Sequence, residues 1–167
     1  MPGQPLTVTF RGDRVRVLAG HDLAGQQARR VAPRPVSDLL HLELLTGAGE
    51  APDWPRPVAL HAVIEARANP VLAIRRASRW ASYAARIAVV RESRVTDLVL
   101  LEARLRGIWV VTAQDGQFRV IAEGQRGPVP GSARGLYHRL LDELVWQELN
   151  QAHGRVPTAA GGRGEGR

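Results

Sequence analysis

Lysine and cysteine are both absent from this 167-residue chain, so all 23 of its basic side chains are arginine. Without lysine there is no P-loop amine and no Schiff-base chemistry. Without cysteine there is no thiolate nucleophile, no cysteine-ligated zinc and no disulfide framework. Aromatic residues are few, at four Trp, two Tyr and two Phe. No apolar run approaches the roughly 18 residues that suggest a membrane span, and no charged-then-apolar leader opens the chain. Cysteine-free composition fits a reducing compartment, and the expectation is a soluble cytoplasmic protein with no membrane partner. No Gly-X-Ser-X-Gly elbow occurs, and Gly47-Ala-Gly49 lacks the rest of a phosphate-binding loop.

Positive charge is what the chain has in excess, at a formal +7. Such a balance points to nucleic acid or another anionic surface. GC-rich codons offer a second explanation, since Arg, Ala, Gly and Pro are common while Lys, Asn, Ile, Phe and Tyr are scarce. The charge is nevertheless segregated. Residues 1–36 carry a net +4, residues 37–69 a net −3 and residues 70–93 a net +4, whereas residues 94–150 balance. An acidic segment between two basic ones is more than a uniform bias requires.

Local patterns set out the elements. Leu6 to Phe10 and Arg14 to Leu18 alternate apolar and polar residues around Arg11-Gly12-Asp13, which predicts a β-hairpin. Asp22 caps a short helix expected to reach Val31, and Ser37 caps a second, bearing Leu39, Leu40, Leu44 and Leu45. Residues 47–57 form an irregular loop, and Val58 to Ala66 a largely apolar strand. Asn69-Pro70 is an N-cap followed by proline at the first helical position. The helix it starts is expected to run from Pro70 to Arg86, with Arg75, Arg79, Ser82 and Arg86 on one face. The alternative makes Val71–Ile74 a strand.

Arg86 to Val90 is a short strand, and Ser93 or Thr96 caps a helix through Arg106 with Val95, Leu98, Leu101 and Leu105 on one stripe. Ile108 to Thr112 and Phe118 to Ile121 form a hairpin around Asp115-Gly116. An amphipathic helix is expected over 132–151, its core face carrying Tyr137, Leu140, Leu141, Leu144 and Val145. The Gly/Arg tail 152–167 is expected to be disordered. The fold class is therefore α/β (α+β): a single layered domain over 1–151, with a mixed β-sheet, flanking helices, an N-terminal hairpin and a C-terminal amphipathic helix.

Residues 58–123 resemble the core of the PD-(D/E)XK nuclease-like superfamily. The resemblance rests on the strand ending Val63-Ile64-Glu65-Ala66-Arg67, the following Arg79-Trp80-Ala81-Ser82-Tyr83-Ala84, and the next strand–helix–strand ending Ile108 to Thr112. It covers about 65 residues. Active members hold Mg²⁺ on two carboxylates, one from an upstream Pro-Asp and one from Glu-X-Lys, whose lysine steers water. The resemblance implies Asp53 and Glu65 as the carboxylates and Arg67 in the lysine's place. Arginine stays protonated and cannot serve as that lysine does, so a degenerate, non-cleaving relative is expected.

The expected function is then a nuclease-like domain that binds nucleic acid, or a nucleic-acid-processing complex, through Arg14, Arg16, Arg75, Arg76, Arg79 and Arg86. One alternative is an accessory domain that homodimerises through its C-terminal helix and strand edges. The other is an active nuclease with Mg²⁺ as its one cofactor. No resident metal is expected. His61 and Glu65 stand about 13 Å apart along a strand, and His138 with Asp142 reads as a solvated one-turn contact. Trp54 and Trp80, each near an arginine, could stack on bases, whereas Trp109 reads as core.

Overall fold

The computed structural model describes residues 3–29, 34–36, 38–46, 55–114, 116–131 and 135–154. Strands β1 (Gln4–Phe10) and β2 (Asp13–His21) pair antiparallel from Phe10↔Asp13 outward. Arg11 at φ 52° and Gly12 at φ 81° make the two-residue turn between them, with the positive dihedrals that match strand twist. Asp22 accepts from Gly25 N at 2.9 Å and starts helix α1 (Leu23–Ala28), which ends three residues short of Val31. Helix α2 (Leu39–Thr46) follows; its expected cap, Ser37, lies outside the described residues. Strand β3 (Val58–Ala66) is the one expected.

Helix α3 (Pro70–Ser78) opens as predicted, with the Asn69 side chain accepting from Leu72 N and proline in the first turn. The strand alternative for Val71–Ile74 is thereby overturned. The helix does not continue to Arg86, however. Residues 79–84 form turns, and Ala85–Val90 is strand β4. Trp80 and Ala84 are buried in the core beside Phe10, which pulls the chain off the helix axis. The apolar alternation of 85–90 then fills a central strand position. Thr96 caps helix α4 (Asp97–Leu105) through Val99 N, after a 3₁₀ turn at Glu92–Arg94. Strands β5 (Trp109–Gln114) and β6 (Gln117–Ala122) make the last hairpin, with Gly116 at φ 77°, and helix α5 (Leu136–Gly154) closes the fold.

The six strands lie in the order β1-β2-β3-β4-β5-β6. Strands β3, β4 and β5 are parallel, and the other pairs are antiparallel. Register puts most of the buried strand residues on one face, with Ala62, paired to Leu18, buried on the other. Val8 pairs with Val15, Leu6 with Val17, Val17 with Val63, and Ala88 with Val110, which pairs with Ala122 on its other side through Ala122↔Val110. Those residues pack into two adjoining clusters. One holds β1–β3 with Leu42 of α2 and Leu140, Leu141, Val145, Trp146 and Leu149 of α5. The other holds β4–β6 with Ala73, Ile74 and Ala77 of α3 and Val99 and Ala103 of α4. Fully burying each large side chain contributes on the order of 1.5–3 kcal/mol.

The helices that join these clusters therefore dress one face, and the other is open among the described residues. That open face carries Thr7, Thr9, Arg14 and Arg16 on the hairpin. Its apolar half has a cross-strand row of Ile64, Ile87 and Trp109, then Val89, Val111 and Val120, with Phe118 near the edge. Trp109 thus stands on the open face, half-buried, and is not a core residue. Trp80 and Trp146 are core residues, and Trp54 lies outside the described residues. The apolar side of α5 is buried except for Tyr137, 41% exposed, so this helix offers no free apolar face for a dimer. No helix among the described residues is long and apolar enough to cross a membrane.

Candidate functional site

Because β2 runs antiparallel to β3, the first residues of β2 lie beside the last residues of β3. The register runs from His21↔Val58 to Arg16↔Ile64, which carries Arg14 and Asp13 on towards Ala66 and Arg67. Helix α3 starts three residues after β3 and runs back along it. The hairpin tip, the end of β3 and the flank of α3 are thereby brought to one end of the sheet. Three hollows there share walls. One of 220 Å³ lies against Thr7, Arg14, Arg16, Ile64, Glu65 and Arg67. A second of 90 Å³ is framed by Asp13, Arg14, Glu65, Arg67, Arg76 and Arg79. A third of 300 Å³ is bounded by Phe10, Arg11, Asp13, Arg79, Trp80 and Tyr83. Neighbouring hollows share residues, and together they form a groove that wraps the end of β3, the first on the open face and the third on the helix-covered side.

Aromatic packing sets the floor. Phe10 and Trp80 lie 5.8 Å apart and Trp80 and Tyr83 5.4 Å, while Tyr83 stacks on His138 at 4.1 Å. Burial pushes the Tyr83 hydroxyl's pKa up and keeps it neutral. The polar contacts are loose. Trp80 Nε1 donates to Glu65 Oε1 at 3.4 Å, Arg67 Nε stands 3.6 Å from Glu65 Oε2, and Arg76 Nη2 is 3.7 Å from Asp13 Oδ1. Six arginines (11, 14, 16, 67, 76 and 79) thus face two carboxylates. Four guanidinium charges are left over around one groove, and their planar forks suit bidentate contacts with phosphate oxygens.

Of the residues the sequence nominates, Arg14, Arg16, Arg76 and Arg79 converge here, and Glu65 and Arg67 lie between them. Arg75 is exposed on α3 but lines none of the hollows. The helical phase, set by Ala73, Ile74 and Ala77 facing the sheet, turns Arg76 to the groove instead. Arg86 is a correction: it belongs to β4, is 2% exposed, and cannot touch a macromolecule. Its Nη2 donates at 3.3 Å to Gly107 O and to the Gln125 side-chain oxygen, and burial disfavours its charge. Asp53 lies outside the described residues. Asp13, read in the sequence only as part of a turn, is the carboxylate that shares a hollow with Glu65. The antiparallel β2–β3 pairing, which crosses a long connection, was the signal needed to find it.

The described residues do not suit Mg²⁺. Glu65 already faces Arg67 and an indole N–H, and Asp13 faces Arg76, so a divalent cation would sit among guanidiniums. No group of three or more His, Asp or Glu placed to hold a metal occurs among the described residues. The His138–Asp142 pair expected to be solvated is instead divided between two contacts. Asp142 accepts two bonds from Arg56, at 2.7 and 2.6 Å, and His138 Nε2 lies 3.0 Å from Ser82 Oγ. Comparison of the chain with protein-family models, with curated proteins and with solved structures gives no match.

Proposed function

We propose that the groove over the end of β3 binds the phosphate backbone of a nucleic acid and that the chain does so without cleaving it. The observation that carries this reading is the surplus of four guanidiniums around hollows that run from the open face of the hairpin to the flank of α3. Arg14 and Arg16 project from the open face of the hairpin, while Arg76 and Arg79 approach from α3. A strand of phosphates crossing the groove would meet both sets. Codon bias accounts for arginine in place of lysine, but it gives no reason for six to converge. Two features support the non-cleaving half of the reading: Arg67 cannot exchange a proton at neutral pH, and Glu65 and Asp13 already face cations.

The test is affinity for a DNA or RNA oligonucleotide as a function of salt. Log K should fall linearly with log salt, and Arg14→Ala with Arg16→Ala should flatten that slope by roughly 1.8 if each arginine neutralises one phosphate. Arg75→Ala should change it less than either. Failure to bind at low salt overturns the reading. Mg²⁺-dependent cleavage that disappears in Glu65→Gln overturns its non-catalytic half.

A further inference from the structure

Helix α4 turns its strongest apolar stripe away from the core. The sequence pattern puts Leu98, Leu101 and Leu105 on one stripe of the helix, and they are 73%, 53% and 80% exposed. Their spacing of three and four puts them on one side of the helix. The opposite side, Val99 and Ala103, is what packs on the sheet. Small buried residues bring α4 close to β5 and β6 while three leucines face out, and nothing among the described residues covers them. Leu72 of α3, the helix packed beside α4, is also 47% exposed on the same layer. A contiguous outward apolar strip of this kind marks an interaction surface.

The charges beside the strip select the occupant. Asp97 and Arg104 are both exposed and stand seven residues apart, in one column along one edge of the leucines. If two copies of α4 lie antiparallel across a two-fold axis near Leu101, Asp97 of each faces Arg104 of the other, twice. Leu98 then meets Leu105 of the second copy, and the helix dipoles oppose. A parallel two-fold pairing would instead set this column against the opposite edge of the partner helix, bringing Asp97 towards Glu102, a like charge, and leaving Arg104 without an acid from α4. We infer that α4 is a self-complementary interface through which two copies of this chain associate antiparallel. The far edge agrees with this arrangement, because Glu102 is already held by Arg106 at 3.2 Å within its own helix. One helix per copy is less than the roughly 800 Å² per partner of a standard interface, so the dimer should dissociate in the micromolar range.

The experiment is sedimentation equilibrium of the full chain from about 1 to 300 µM, spanning that range. The mass should rise from 18.2 kDa towards twice that value. Leu101→Glu, an outward position, should keep its melting temperature and remain monomeric. Asp97→Arg and Arg104→Asp should each weaken association at least tenfold alone, since each places like charges across the axis. Mixed in equal amounts, the two variants should associate as tightly as the parent within about threefold, because every cross-pair is then complementary. A chain that stays at 18.2 kDa overturns the inference. So does a dimer that survives Leu101→Glu, or a mixture no tighter than its components. Nucleic-acid binding is unaffected by any of these results.

Discussion

Two arginines are buried among the described residues, Arg29 at 5% exposure and Arg86 at 2%, and the two halves of the sheet hold them in opposite ways. In the β1–β3 half, Arg29 Nη1 donates to Glu143 Oε1 at 2.6 Å, Glu143 Oε2 accepts from Val36 N at 2.9 Å, and the guanidinium lies 4.8 Å above the Trp146 ring. Beside it, Arg56 grips Asp142 with two bonds. Both acids belong to α5, and both arginines belong to the long connection between β2 and β3. In the β4–β6 half, the donor contacts of Arg86 are to neutral oxygens at 3.3 Å, and its buried Nε has no hydrogen-bond partner. The difference teaches that burial alone does not make an arginine structural. Arg29 fastens the end of α1 to a helix more than a hundred residues away. Arg86 covers the carbonyl that ends the α4–β5 turn.

Glu143→Ala should therefore have the largest effect, a loss of about 3–5 kcal/mol in unfolding free energy, because it strips a buried guanidinium and a buried N–H of the carboxylate that holds them. Chemical denaturation measures it, and a loss below about 1 kcal/mol would mean the pair is not structural. Arg86→Leu should sharpen the contrast by doing little. Relief from burying a charge offsets two weak donor contacts, so stability should stay within about 1 kcal/mol of the parent. A loss as large as that of Glu143→Ala would erase the distinction between the halves.

The smallest effect concerns pH. Burial, and then the neighbouring His153, hold the His21 imidazole below its ordinary pKa. Its rings sit 4.8 Å from those of His153 where the end of α5 meets the end of β2, and Gln26 Nε2 lies 2.9 Å from His21 Nδ1. The folded state thus favours the neutral ring. The associated stability is present above the ordinary imidazole range and is lost as pH falls through it towards the depressed folded value. Between about pH 8 and pH 5 the melting temperature should fall more for the parent than for His21→Gln. Equal slopes would remove His21 as the cause.

Much of the fold was legible because its signals are local. Alternation gave the first hairpin, Asp115-Gly116 the second, Asn69-Pro70 the start of α3, and Thr96 was one of two residues read as the cap of α4. What stayed hidden depended on distant residues. The end of α3 at Ser78 follows from Trp80 meeting Phe10 and from the need for a strand between β3 and β5. The partner of Arg29 lies 114 positions along the chain. The leucine stripe of α4 was legible, but that Val99 and Ala103 rather than the leucines face the sheet was not, since only the close approach of the helix to the sheet selects the small residues. In the groove, Arg14 and Arg16 could be found from strand alternation. Choosing Arg76 over Arg75, and Asp13 as the acid beside Glu65, required the register of β2 on β3.

The strand order has a kinetic consequence. Every strand neighbours the strands adjacent to it in sequence, and the two parallel crossovers span one short helix each. Four of the five pairings can form by short closures, a route associated with low contact order and rapid folding, whereas β2 and β3 must close the long connection from Asp22 to Pro57. Helix α5 makes the longest closure, since it must travel from the β6 edge back across the layer to β1. Docking of α5, secured by Glu143 and Asp142, is the one closure that spans nearly the whole chain, and it should set the pace of the final folding step.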